Sequence, residues 1–292
     1  MANPIFTNSS SFNGRGSQQP NSQQYLGGGQ QQAPYQQHQQ MGGYQQHQQM
    51  PYQQGAPMGQ HQFQQPTRLG GVMTLDDVIA KSAITLLTVF AAAAASFILI
   101  PFQILYPALI GSAIVGLITV LFVARRRQIP VGGVLFYAAV EGVFVGTFSK
   151  MMEFMYPGIV VQAVLATFVA AGATLFAYKF FNIRVTPKFR KFVMIGTMAI
   201  AALFLVNLVA ILFNVNLGIV EVGGGAGLLS IIISIVALGL AIFNLIVDFD
   251  YVERGIAAQA PAHESWRAAF GITVTMVWLY IELLRILSYF RN

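Results

Sequence analysis

The chain has 292 residues, of which 55% are hydrophobic and only 9% charged, where a soluble domain carries roughly a quarter charged. That balance excludes an ordinary soluble globular protein and points to a polytopic membrane protein. With no cysteine, disulfides, thiol nucleophiles, iron–sulfur clusters and cysteine-rich zinc sites are excluded. The net charge of +6 reads as topogenic rather than as a nucleic-acid footprint.

Residues 1–71 are Gln, Gly, Pro, Tyr, Ser and Asn, without apolar periodicity, and only Arg15 and Arg68 are charged. Such a segment buries too little apolar area to offset chain entropy, so it is expected to be a disordered tail ahead of a membrane domain over residues 72–292. Within it residues 35–41 read YQQHQQM and recur at 44–50, which resembles self-associating Tyr/Gln tracts, although a solvated tail with no specific partner is the expectation. His38 and His47 are too few for a metal site. No basic start precedes a short apolar run, so no cleaved signal peptide is expected.

Order is predicted to begin at Thr74, because Thr74-Leu75-Asp76-Asp77 has capping-box spacing. Apolar runs follow at 82–100, 104–124, 131–149, 158–178, 192–213, 228–247 and 270–290. Each matches the length of helix needed to cross the hydrocarbon core, and their continuity argues against a β-barrel. The expected fold class is therefore an all-α membrane protein with seven transmembrane helices. Lys81, Arg125, Arg126, Arg127, Lys179, Arg184, Lys188, Arg190, Lys191, Arg254 and Arg267 fall on the side shared with the N-terminus, against Lys150 alone on the other. This asymmetry predicts a cytoplasmic N-terminus and an extracytoplasmic C-terminus in a multi-pass cell-membrane protein.

Ionisable residues inside a membrane are costly, at about 2.5 to 3.5 kcal/mol each on insertion scales. Glu141 sits within the third span, Asp248 and Asp250 at the end of the sixth, and Glu282 and Arg285 in the seventh. Glu282 and Arg285 are three apart and can pair locally, which would by itself explain both. Asp248 and Asp250 cannot face one cavity from adjacent alternate positions on a helix; Asp250, nearer the polar loop, is expected to be the solvated one and Asp248 the inward one. Glu141 precedes Gly142 and Gly146, whose spacing allows close helix approach. It is open to reading as a packing carboxyl or as a functional one.

Other patterns fail on inspection. His263-Glu264-Ser265-Trp266-Arg267 begins like a zinc-protease helix but has Arg267 where the second histidine belongs. Gly223, Gly224, Gly225 and Gly227 lack the Lys-Ser or Lys-Thr of a phosphate loop, so a flexible connection suffices there. The sequon at Asn8 lies on the expected cytoplasmic side. An enzyme is not expected, and no cofactor is implied.

Two segments carry a resemblance. NLIVDFDYVE at residues 244–253 resembles the sixth-span signature of the Bax inhibitor-1 family, an apolar run ending in Asp, with Asp250 standing where Gln is usual. WLYIELLRIL at 278–287 resembles that family's last span, with Glu282 where Asp is common. Glu141-Gly142 and the seven-span count also fit, over roughly residues 74–290, and the likeness is greatest to bacterial members. It implies a bundle with the last helix central, and a calcium leak controlled by pH through a hydrogen-bonded carboxyl pair, here Asp248 and Glu282. Some bacterial members are instead associated with modulating a membrane protease. The partners the resemblance implies are the lipid bilayer and a calcium ion or, on the second reading, such a protease, with no nucleic acid.

Two carboxyls in one low-dielectric site share a proton and titrate as a unit, and when ionised they offer oxygens to a hard cation. Two fall far short of the six to eight oxygens of a tight calcium site, so Asp248 and Glu282 would give a weak, transient one. If boundaries follow the apolar runs alone, Glu282 and Asp248 lie at different depths; they meet only if the sixth helix runs on toward Gly255 or the seventh begins near His263.

A reporter fused after Asn292 should report as extracytoplasmic and one inserted at Val185 as cytoplasmic. The opposite pattern would place nearly all the loop cations outside and overturn the orientation.

Overall fold

A computed structural model describes residues 71–291. The disordered tail expected for residues 1–71, with its repeat, His38, His47 and the Asn8 sequon, falls, Gly71 apart, outside the described residues. Within them are seven long apolar helices: α1 (Leu75–Leu99), α2 (Leu105–Ala124), α3 (Val131–Met155), α4 (Ile159–Phe180), α5 (Pro187–Leu212), α6 (Leu228–Ala257) and α7 (Glu264–Tyr289). All seven are long and apolar enough to cross a membrane. Every apolar run in the sequence corresponds to one of them; the largest difference is at the end of α6, and α7 begins before its run as well. Both reach further toward their shared connection than the apolar runs do, because their ends carry charged residues that the bundle satisfies internally.

Local chemistry sets the helix starts. Thr74 caps α1 by accepting a hydrogen bond from the Asp77 amide at 3.2 Å, as its spacing predicts. Thr186 does the same for α5 from the Phe189 amide at 3.2 Å, with Pro187 at the first helical position. Ahead of α4, the Glu153 carboxylate accepts from the amides of Gly158 and Val160 at 2.6 and 3.1 Å, so an acidic side chain from α3 serves the free donors of the next helix.

The centre of the bundle is α7, which packs on α1, α3, α4 and α6. Its residues Arg267, Ala268, Ala269, Phe270 and Gly271 are all buried in succession. Burial around the whole circumference is the mark of a helix with neighbours on every side. By contrast α5 packs chiefly against α6, touching α7 where Phe204 lies by the Arg285 guanidinium, and most of its apolar side chains face outward.

The closest packing is between α1 and α3. A Cβ on Gly142 would lie 2.5 Å from the Val89 carbonyl oxygen and 2.6 Å from the Ala92 methyl, and one on Gly146 would overlap Ser96 and the Ala93 carbonyl. The two glycines are one turn apart and let the backbones touch, the small-residue contact expected in a membrane, where dispersion rather than hydrophobicity drives association.

The chain enters the bundle at the α6–α7 connection. The Met73 amide donates to the Ala260 carbonyl at 2.7 Å and the Ala262 amide to the Gly71 carbonyl at 2.8 Å. Met73 is buried with Val78, Tyr251, Val252, Ala260 and Ala268.

Gly146→Val should lower the thermal stability of the purified protein by about 1 to 3 kcal/mol through overpacking, whereas the same change at Gly172, which has open space, should not. Met73→Ala should cost about 2 to 5 kcal/mol, the range for truncating a buried Met. An unchanged midpoint in thermal unfolding would show that this clasp contributes nothing.

Candidate functional site: the α6–α7 polar axis

The charged residues of α7 come in two pairs of identical spacing, Glu264 with Arg267 and Glu282 with Arg285. Eighteen residues, or five turns, separate them, so both lie on one stripe of the helix, and Thr275 falls between them on the same stripe. The stripe divides into three levels.

At the end bearing Arg126 and Arg127, the Arg267 Nε donates to Glu264 at 2.9 Å, and its Nη2 reaches the Arg126 and Arg127 carbonyls at 3.2 and 2.7 Å. The Tyr251 hydroxyl donates to the same carboxylate at 2.8 Å. Arg267 thus ties the end of α2 to α7 and closes this end of the bundle. The segment that starts like a zinc-protease motif is in fact an ion-pair clamp, and among the described residues no cluster of His, Asp and Glu could hold a metal.

In the middle level, Asp248 is fully buried on α6 and accepts a hydrogen bond from the Thr275 hydroxyl at 2.6 Å. One turn before it, the Asn244 amide donates to Thr197 of α5 at 2.7 Å, and near Thr275 the hydroxyls of Thr273 and Thr85 meet at 2.7 Å, joining α7 to α1. Asp250 is only 8% exposed and lies between two guanidinium groups, Arg190 at 2.7 Å and Arg254 at 2.8 Å. The expectation of a solvated Asp250 is corrected: α6 continues as helix past it to Ala257, so Asp250 remains inside the bundle, on the α5 side, and is held there as part of an ion triad.

At the opposite end, Glu282 is fully buried and pairs with Arg285, whose Nη1 stands 3.3 and 3.2 Å from the two carboxylate oxygens. The Ser234 hydroxyl of α6 also faces Glu282. The other arm of Arg285 turns to the Ile219 carbonyl, the Ser230 hydroxyl and the Tyr289 hydroxyl at 3.4 to 3.5 Å. The glycine-rich connection closes over this end: the Gly223 amide donates to Ser288 at 3.0 Å, and a Cβ there would overlap the Tyr156 hydroxyl. Gly223 has φ of +86°, a conformation that favours glycine. The segment is a fitted cap rather than a slack connection.

Asp248 and Glu282 therefore have separate partners. Thr275, opposite Asp248, is seven residues before Glu282, about 10 Å along the helix. Between the two levels lies an apolar layer of Ala241 and Leu245 from α6 with Met276 and Leu279 from α7. Glu141, the remaining candidate, is on the other side of the bundle, half-buried, with its Oε2 3.1 Å from where a Cβ on Gly116 of α2 would be and its carboxyl bonded to Tyr137. Gly116 makes room for it, so α2 accommodates the carboxyl while Gly142 and Gly146 serve α1.

Sequence reasoning did not single out Thr275 or the Glu264–Arg267 pair. The repeated Glu-x-x-Arg spacing, five turns apart, was the available signal for the second; a lone threonine in an apolar run gives none for the first.

A family model described as Bax inhibitor 1 like matches residues 3–292, and no match was found among curated proteins. The match spans essentially the whole sequence, and the helices it covers form a seven-helix bundle around α7: the chain belongs to the Bax inhibitor 1-like family.

Proposed function

We propose that the protein is a pH-sensitive leak pathway for calcium or a similar hard cation across the cell membrane, running along the α6–α7 polar axis and closed in the conformation described. The observation that carries this reading is a fully buried carboxyl, Asp248, level with Thr275 near the middle of α7 and separated from a second buried carboxyl, Glu282, by one apolar layer. Intramembrane carboxyls face the bundle interior or a water-filled cavity and mark ion and proton pathways. An apolar constriction between polar levels gates by excluding water.

Asp248 is the titrating group of this mechanism. Protonated, it is a neutral partner for Thr275 and holds α6 against α7. Ionised, it is a charge in a low-dielectric site, which favours entry of water or a cation beside it and parting of the two helices. Thr275 supplies a hydroxyl at this level, and Glu282 lies beyond the apolar layer, so in this reading the two carboxyls titrate at separate levels. Glu282 supplies a second oxygen site beyond the layer, with Arg285 as the cation that occupies it in the closed state. Few oxygens at each level suit passage rather than storage. The loop charges support a cytoplasmic N-terminus, and no catalytic role or resident cofactor is assigned.

A second reading, an interaction protein that modulates a membrane protease or stress response, is supported by the family's bacterial members. It takes the place of the first if no ion flux is found.

In liposomes loaded with a calcium-sensitive dye, Asp248→Asn should abolish the pH dependence of calcium flux, and Glu282→Gln should flatten it. Leu279→Ser, which wets the apolar layer, should raise flux several-fold at every pH. Asp250→Asn should lower stability by leaving two arginines underpaired, without moving the titration. A wild-type pH profile in Asp248→Asn, or no calcium flux in the wild type, overturns the leak mechanism.

A further inference from the structure

The wall of the bundle is open between α1 and α4. These helices do not pack on each other, and the gap between them is a groove of about 730 Å³. Its floor is the central helix, through Met276, Val277 and Tyr280.

The lining is carbon almost throughout, and the hydroxyls at its edge are already satisfied. Ser149 and Tyr280 bond each other at 2.7 Å, and Thr167 returns to the Ala163 carbonyl at 2.7 Å. The groove offers nothing to a polar ligand and everything to a hydrocarbon one. Its mouth is framed by the exposed side chains of Leu87, Phe90 and Phe168, so it opens toward the acyl region of the bilayer. Along α1 the lining runs from Ala83 to Phe97, about 21 Å at 1.5 Å per residue. That is the greater part of a hydrocarbon core of about 30 Å.

Past the far end of the groove, outside its lining, lies a cation. α1 ends at Leu99, and the Lys150 ammonium donates to the Ile100 carbonyl at 2.6 Å, next to the ring of Phe102. An ammonium one turn beyond Phe97 stands at the depth where a lipid chain gives way to its phosphate. A transmembrane helix from another protein is a poorer occupant, because helices approach each other through small residues and this mouth is framed by Leu and Phe.

We propose that the groove between α1 and α4 is a binding site for one acyl chain of a membrane phospholipid, with its phosphate beside Lys150. The site is independent of the leak reading, since it is defined by retention of lipid rather than by ion flux. It places a lipid chain in direct contact with α7, the helix that carries Thr275 and Glu282.

Native mass spectrometry of the full chain in a mild detergent, after incubation with dioleoyl phosphatidylglycerol, tests this. The wild type should retain one phospholipid per chain. Ala94→Trp and Ala83→Phe, which fill the groove from two different points, should each reduce occupancy at least about five-fold, while Ala202→Trp on the exposed face of α5 should leave it unchanged. Lys150→Gln should retain lipid but lose preference for phosphatidylglycerol over phosphatidylcholine. A wild type that retains no phospholipid, or takes oleic acid in its place, overturns the proposal. So does equal retention in both folded filling variants, or a dimer that the fillings dissociate, which would assign the groove to a second copy. Should one filling variant fail to fold, the other and Lys150→Gln decide.

Discussion

The fold depends on the cost of placing charge in hydrocarbon. α7 carries Glu264, Arg267, Glu282 and Arg285, and no helix with four such groups is stable facing lipid. Each acid has its base three residues on, and each base finds carbonyls or hydroxyls from other segments: Arg126 and Arg127 for Arg267, Ile219, Ser230 and Tyr289 for Arg285. Those partners come from the α2–α3 connection, from the connection before α6, from α6 and from α7 itself. Satisfying α7 therefore holds it against α6 and under the connections at both ends of the bundle, away from lipid.

The same requirement sorts the periphery. α1 and α3 are held by glycines that bring their backbones into contact, while α5, beyond a contact of Phe204 with Arg285 of α7, meets the bundle through α6. It is joined there by the Arg190–Asp250 ion pair and the Thr197–Asn244 hydrogen bond. Elements held chiefly by one neighbour are those with the lowest free energy of local opening. Movement of α5 with the end of α6 would disturb Asp250 and Asn244 first, the residues that flank Asp248.

The sequence makes the spans and the start of α1 legible because both are local signals, a run of apolar residues and a hydroxyl three residues before an amide. The central place of α7 came from resemblance, and its physical cause is visible in the repeated Glu-x-x-Arg spacing only once those pairs are treated as a set. Asp250 was misplaced for an instructive reason. Proximity to a polar loop suggested solvent, whereas α6 extends beyond the apolar run and Arg190 arrives from a helix 60 residues away. Long-range partners of this kind leave no mark in local periodicity. The same is true of Thr275, whose role is set by which residue of α6 lies opposite it.

The entry of the chain beside the α6–α7 connection has a mechanical meaning. Gly71 and Met73 form a short antiparallel bridge with Ala260 and Ala262, and the Met73 side chain is seated against Tyr251 and Ala268. A pull on the polypeptide ahead of Gly71 is therefore borne first by that connection, before any strain reaches α1. Gly71 is thereby tied to the connection between the two helices that hold Asp248 and Thr275, which makes that connection the joint that takes the strain where the chain enters.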